Sequence, residues 1–112
     1  MNNQVATKAM PGEVNALSEL LQYQDAAIVS RVLLKNQGGT VTLFAFDVGE
    51  GLSEHTAPFD ALVLVTDGEA DIEIAGAGFK VKQGETITLP ANLPHAVKAA
   101  TRFKMLLIMI RA

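Results

Sequence analysis

Apolar and polar side chains alternate with a period of two in this chain, and turn signals break the alternation roughly every 8–12 residues. In Ala70 to Ala75, Ile72 and Ile74 share one side and Asp71 and Glu73 the other. In Phe79 to Gln83, Phe79 and Val81 stand opposite Lys80 and Lys82. A period of two is the period of a strand, whose successive side chains point to opposite faces of a sheet. The same reading makes strands of Ala27 to Lys35, Thr40 to Val48, part of His55 to Thr66, Thr86 to Leu89, His95 to Ala99 and Arg102 to Ile110. The punctuation is Asn36 to Gly39, a loop at Gly49 to Ser53, a tight turn at Asp67-Gly68, Gly76 to Gly78, Gly84-Glu85, and a loop from Pro90 to Pro94. About eight short strands with no long helical segment between them predict an all-β sandwich or barrel and exclude a parallel α/β sheet.

The first part of the chain has a different period. Residues 1–13 are polar and contain Pro11-Gly12, which reads as an arm. Val14, Leu17, Leu20 and Leu21 then recur at helical spacing, predicting a short amphipathic helix over about 14–22. The alternative is an irregular apolar arm laid over the barrel. Residues 1–25 are thus expected to form an N-terminal arm and 26–112 the barrel.

Composition narrows the function classes. The chain has 112 residues, 49% hydrophobic and 19% charged, enough to bury one core and too apolar for intrinsic disorder. A net charge of −3 argues against a dedicated nucleic-acid binder. Lys80, Lys82, Lys98, Arg102 and Lys104 read as solvated strand faces. The chain has no cysteine, which removes disulfides, thiolate nucleophiles and zinc–cysteine sites and fits a cytoplasmic protein. Met105 to Ile110, the longest apolar run, is far short of the ~20 residues of a membrane span. No phosphate-binding glycine motif, nucleophile elbow or carboxylate pair at a useful spacing occurs.

Two strands are apolar on both faces: Ala61 to Val65 and Met105 to Ile110. A barrel wall needs only its inner face apolar, so something must cover the other: another sheet layer, the N-terminal arm or a second subunit. A homodimer is the expected state.

The segment Gly49 to His95 carries a more specific pattern. Gly49 is followed after five residues by His55, and Gly68 closes the segment. Gly84, Pro90 and His95 follow with the spacing of a second motif, and the chain's two histidines both fall on motif positions. This pair of motifs resembles the cupin superfamily. The resemblance implies a single-domain double-stranded β-helix, or jelly-roll barrel, with a short N-terminal arm or helix. Asn92 stands where the second motif has glycine, and asparagine tolerates left-handed backbone angles.

In that family two histidines and a glutamate of the first motif, and one histidine of the second, bind a divalent metal inside the barrel. Here the second histidine position is Ala57 and the glutamate position Ala61, and neither has a donor atom. His55 and His95 remain as candidate metal ligands, for one divalent transition metal as the candidate cofactor. Glu54 and Asp60 are near, but each sits one residue out of phase with the inward face. The candidate ligand pocket is His55, Phe59, His95 and Met105. Each histidine can be read as a ligand, a general base or a hydrogen-bonding residue at the barrel mouth. The bland reading is two inherited barrel residues. The resemblance implies a small-molecule-binding cupin, or else a metal-dependent isomerase, decarboxylase or dioxygenase with a reduced ligand set, or a non-catalytic structural or sensing dimer.

Overall fold

The computed structural model describes residues 2–3 and 12–111. Among these residues it contains nine strands, β1 (Asn2–Asn3), β2 (Ile28–Asn36), β3 (Gly39–Phe46), β4 (Gly51–His55), β5 (Phe59–Ile74), β6 (Ala77–Lys82), β7 (Thr86–Leu89), β8 (His95–Lys98) and β9 (Phe103–Arg111), and no α-helix. The strand path runs β1-β2-β3-β9-β5-β8-β4, with β6 and β7 also paired to β5. β5 belongs to both halves of the barrel. Its first part pairs with β9 and β7, and its second part with β6 and β8.

That continuity corrects the tight turn expected at Asp67-Gly68. The chain does not reverse there; β5 bends from one sheet into the other through a bulge between Val65 and Asp67. Gly68 takes φ +71°, and a Cβ on it would lie 2.1 Å from the carbonyl oxygen of Arg102, the residue before β9. Glycine is needed both for the backbone angle and for the close approach. The β6–β7 turn is stitched into the same bend, with Gly84 N donating to Val65 O at 2.7 Å and Gln83 N to Gly68 O at 3.1 Å. The β5–β6 hairpin also turns earlier than expected, at Ala75-Gly76, whose φ values of +48° and +83° give the twist that a two-residue hairpin favours. The expected loop at Gly49 to Ser53 gives way partly to strand, since β4 begins at Gly51.

On β5 the alternation set the inward face correctly, and on β9, apolar on both faces and left open by the sequence, Phe103 and Met105 point in. Ala61, Val63 and Val65 of β5, Ile72 beyond the bend, and Phe103 and Met105 of β9 form one core with Phe46, Val81, Leu89 and Val97. Phe46 and Phe103 stack with centroids 4.4 Å apart and planes 9° apart. Residues beside the bend are fully buried. The inward residues farther from it, Leu107, Met109 and Ile74, are only half-buried. The barrel is therefore closed at the β5 bend and opens at the opposite end.

The helix expected over 14–22 is reduced to one 3-10 turn, Leu17–Glu19, with no side-chain cap at Ala16. The carbonyls that a helix would use are taken by side chains from the barrel. Lys104 Nζ donates to Leu21 O at 2.7 Å and Ser18 O at 3.4 Å, and Arg31 Nη1 donates to Leu20 O at 2.8 Å. Val14 is 96% exposed and has no share in the packing. Leu17, Leu20, Leu21 and Tyr23 instead lie on the outer faces of β2, β3 and β9, over Val29, Leu43, Ala45 and Leu106. The arm alternative describes this segment; residues 4–11 of the expected arm lie outside the described residues. The cover is incomplete, because Leu34, Leu62 and Ile110 remain exposed.

Two charged residues are buried, one of them, Lys104, expected in solvent. Lys104, 7% exposed, lies under the arm with its ammonium 5.0 Å from the centre of the Tyr23 ring. Asp47 is held by Arg102 at 2.7 Å and by the backbone N–H groups of Ala26 at 2.6 Å and Val48 at 2.8 Å. The Arg102 guanidinium and those two amides lower its pKa to about 2. Tyr23 donates to Asp67 at 2.6 Å. Burial and that carboxylate push the phenol well above its ordinary range. Among the described residues, no helix is long and apolar enough to cross a membrane.

Candidate functional site

His55 is the last residue of β4 and His95 the first of β8, and the two are register partners. His95 in turn pairs with Ile74, the last residue of β5. Paired residues on adjacent strands share a face, and Ile72 and Val97, two residues further in, belong to the core. The histidines are thus on the inward face, at the end where three strands stop. Their ring centroids are 4.4 Å apart with planes at 68°, an edge-on contact. His95 is half-buried and His55 exposed, so the pair sits on the rim of the open end and not deep inside. A register shift between Leu52 and His55 re-aims the end of β4 toward β8.

Both rings are oriented in the same way. His55 Nδ1 lies 2.8 Å from Ser53 O, and His95 Nδ1 lies 3.2 Å from Leu93 O. A carbonyl oxygen only accepts, so each Nδ1 carries the proton and donates it. In the neutral ring Nε2 is then a free lone pair. Neither Nε2 has a hydrogen-bond partner among the described residues.

The loops beside the pair are tied to each other. Asn92, at φ +65°, adopts the left-handed angle that its motif position requires. Its N–H donates to Ala57 O at 2.8 Å, and Ala91 N–H donates to Asp60 Oδ1 at 2.9 Å. Phe59 is half-buried at the start of β5, with the Arg111 guanidinium 5.5 Å from its ring centre. Met105, by contrast, is packed in the core. Of the four candidate pocket residues, the two histidines are in contact, Phe59 begins the adjoining strand, and Met105 is interior packing. A depression of about 620 Å³ is bordered by residues of β4, β8, β5 and β6, among them Leu52, Asp71, Ile72, Phe79, Val97 and Lys98, and neither histidine borders it.

The donor set falls short of the superfamily's metal site. No group of three metal-ligating side chains comes together among the described residues. Ala57 and Ala61 offer no donor, and the Asp60 carboxylate is engaged by Ala91. Two imidazoles are fewer than the three protein ligands usual even at an open catalytic zinc site.

A cupin-domain family model matches residues 42–111, and the chain belongs to the cupin family. Similar solved structures include a conserved protein of unknown function from Streptococcus pyogenes, 30% identical, with a TM-score of 0.89 and 97% of this chain and 96% of that one covered. A cupin 2 conserved barrel domain protein from Leptotrichia buccalis is 46% identical, with a TM-score of 0.82, over 85% of this chain. This chain spans 46% of that protein's length. A cupin superfamily protein from Desulfitobacterium hafniense is 26% identical, with a TM-score of 0.87, over 97% of this chain and 99% of that one. No curated protein of described function matches.

Proposed function

We propose that this chain is a small-molecule-binding cupin that holds its ligand at the rim pair His55 and His95 without the divalent metal of its superfamily. The observation that carries the reading is the pair itself: two inward-facing rings 4.4 Å apart at the open end of an apolar barrel, each with Nδ1 committed to a carbonyl. A few convergent polar groups on an apolar concave wall are the usual make-up of a ligand site. The missing donors at Ala57 and Ala61 argue against the metal. In this reading two copies of the chain pair through the outer face that the arm leaves open, at Leu34, Leu62 and Ile110.

One observation favours a second reading. An imidazole that donates Nδ1–H to a carbonyl is oriented as metal-binding histidines are. A metal-dependent enzyme with a reduced ligand set would use the same two rings.

The test is metal analysis and native mass spectrometry of protein purified without added metal or chelator. Substoichiometric metal, with an organic mass carried by the parent chain and lost in His95→Phe, supports the ligand reading. One transition metal per chain, lost in the same variant, overturns it in favour of the second.

A further inference from the structure

The chemistry of the rim narrows the ligand class; this inference rests on the binding reading above. Each imidazole has committed its N–H, so the neutral pair offers two acceptors, the Nε2 lone pairs, and no donor. Four nearby backbone amides are spent as well. Ala91 N donates to Asp60, Asn92 N to Ala57 O, Leu93 N to Pro90 O at 3.4 Å and Ala75 N to Pro94 O at 2.8 Å. An anion such as a phosphate or carboxylate is normally received by free N–H groups or cations. The inward cation beside this end, Arg111, lies over the Phe59 ring. A ligand that binds to the pair must bring the donor itself. The inward walls that face it, at Ile74, Leu107, Met109 and Phe59, are half-buried and apolar.

We propose that the His55–His95 pair receives an uncharged, hydroxyl-bearing molecule with an apolar body, of which phenol is the simplest representative. Its O–H donates to one Nε2 or is shared between the two, and its ring covers the half-buried apolar wall. Binding forms no covalent bond and transfers no proton.

The experiment follows the imidazole nitrogens of the ¹⁵N-histidine-labelled full chain by long-range ¹H–¹⁵N spectroscopy at neutral pH. The probes are phenol, benzoate and Zn²⁺, each alone. Phenol is expected to shift both Nε2 resonances saturably. His55→Phe and His95→Phe, which keep a ring at the contact and remove the acceptor, are expected to weaken phenol at least tenfold while far-UV spectra stay unchanged. Benzoate, with a charge in place of the donor, is expected to leave the resonances in place. A benzoate response equal to or larger than that of phenol overturns the ligand class and leaves the binding site standing. No response to either organic probe overturns the class and the binding reading together. Saturation of both Nε2 atoms by one equivalent of Zn²⁺ overturns the metal-free reading.

Discussion

Replacing Gly68 with alanine tests whether the β5 bend, and with it the closed end of the barrel, depends on a missing side chain. Two costs combine. Gly68 sits at φ +71°, where an L-residue costs about 1–2 kcal/mol. Its new Cβ would also meet the Arg102 carbonyl oxygen at 2.1 Å and Phe103 Cα at 3.0 Å, both backbone atoms where the chain enters β9. Neither can swing aside as a side-chain tip can. β5 and β9 must part at a pair that includes the fully buried Phe103, and such overpacking costs about 1–3 kcal/mol more. The sum, about 2–5 kcal/mol, lowers Tm by roughly 8–20 °C for a domain of this size. Gly49→Ala is the control. Gly49 has φ +85° with nothing within 4 Å of its would-be Cβ, so only the backbone cost of about 1–2 kcal/mol applies, roughly 4–8 °C. The alanine's effect on the unfolded chain is common to both and cancels. Thermal unfolding followed by circular dichroism measures the difference. Equal losses in the two variants would refute the argument that close approach at the bend demands glycine.

Three further outcomes follow from the packing and charges. Phe103→Ala removes one ring of the stacked, fully buried pair with Phe46 and should cost about 3–5 kcal/mol, read as a fall in the urea midpoint. Asp47 has a folded pKa of about 2, below the usual value of about 3.9, so its stabilisation is present above pH ~4 and is lost as pH falls toward 2; Asp47→Asn should flatten the acid limb of the stability profile in that window, and an unchanged limb in acid titrations of Tm would contradict the role given to Arg102. Light scattering at micromolar concentration should give about twice the 11.9 kDa chain mass if the uncovered Leu34, Leu62 and Ile110 face pairs two copies, and a monomer mass would refute that pairing.

Much of this fold was legible because alternation is a property of single strands. The inward set of β5 and the alternation of β6 could be read from neighbouring residues alone; β9, apolar on both faces, left its inward side open, and the placing of His55 and His95 on matched strands came from the family resemblance. What escaped depends on contacts distant in sequence. Asp67-Gly68 carries the same residues whether the chain turns back or bends, and the choice is made by the carbonyl of Arg102, just before β9. Leu17, Leu20 and Leu21 have helical spacing, but a segment this short is marginal as a helix. Lys104 and Arg31 reach their carbonyls only once the barrel has formed. Lys104 looked like a solvated strand residue because its place in the alternation is outward; outward at that point means under the arm. A place at the barrel mouth was one of the readings left open for the histidines, since spacing gives a face but not the depth at which the strands end.

The central claim, that the two motif histidines form an acceptor pair at the open end of the barrel, rests on their tautomers. The imidazole ¹⁵N spectrum of the unliganded chain above the histidine titration range reports them directly. The account predicts protonated Nδ1 and unprotonated Nε2 in both His55 and His95. A proton on Nε2 of either ring would break its hydrogen bond to Ser53 or Leu93, remove one acceptor, and contradict the account.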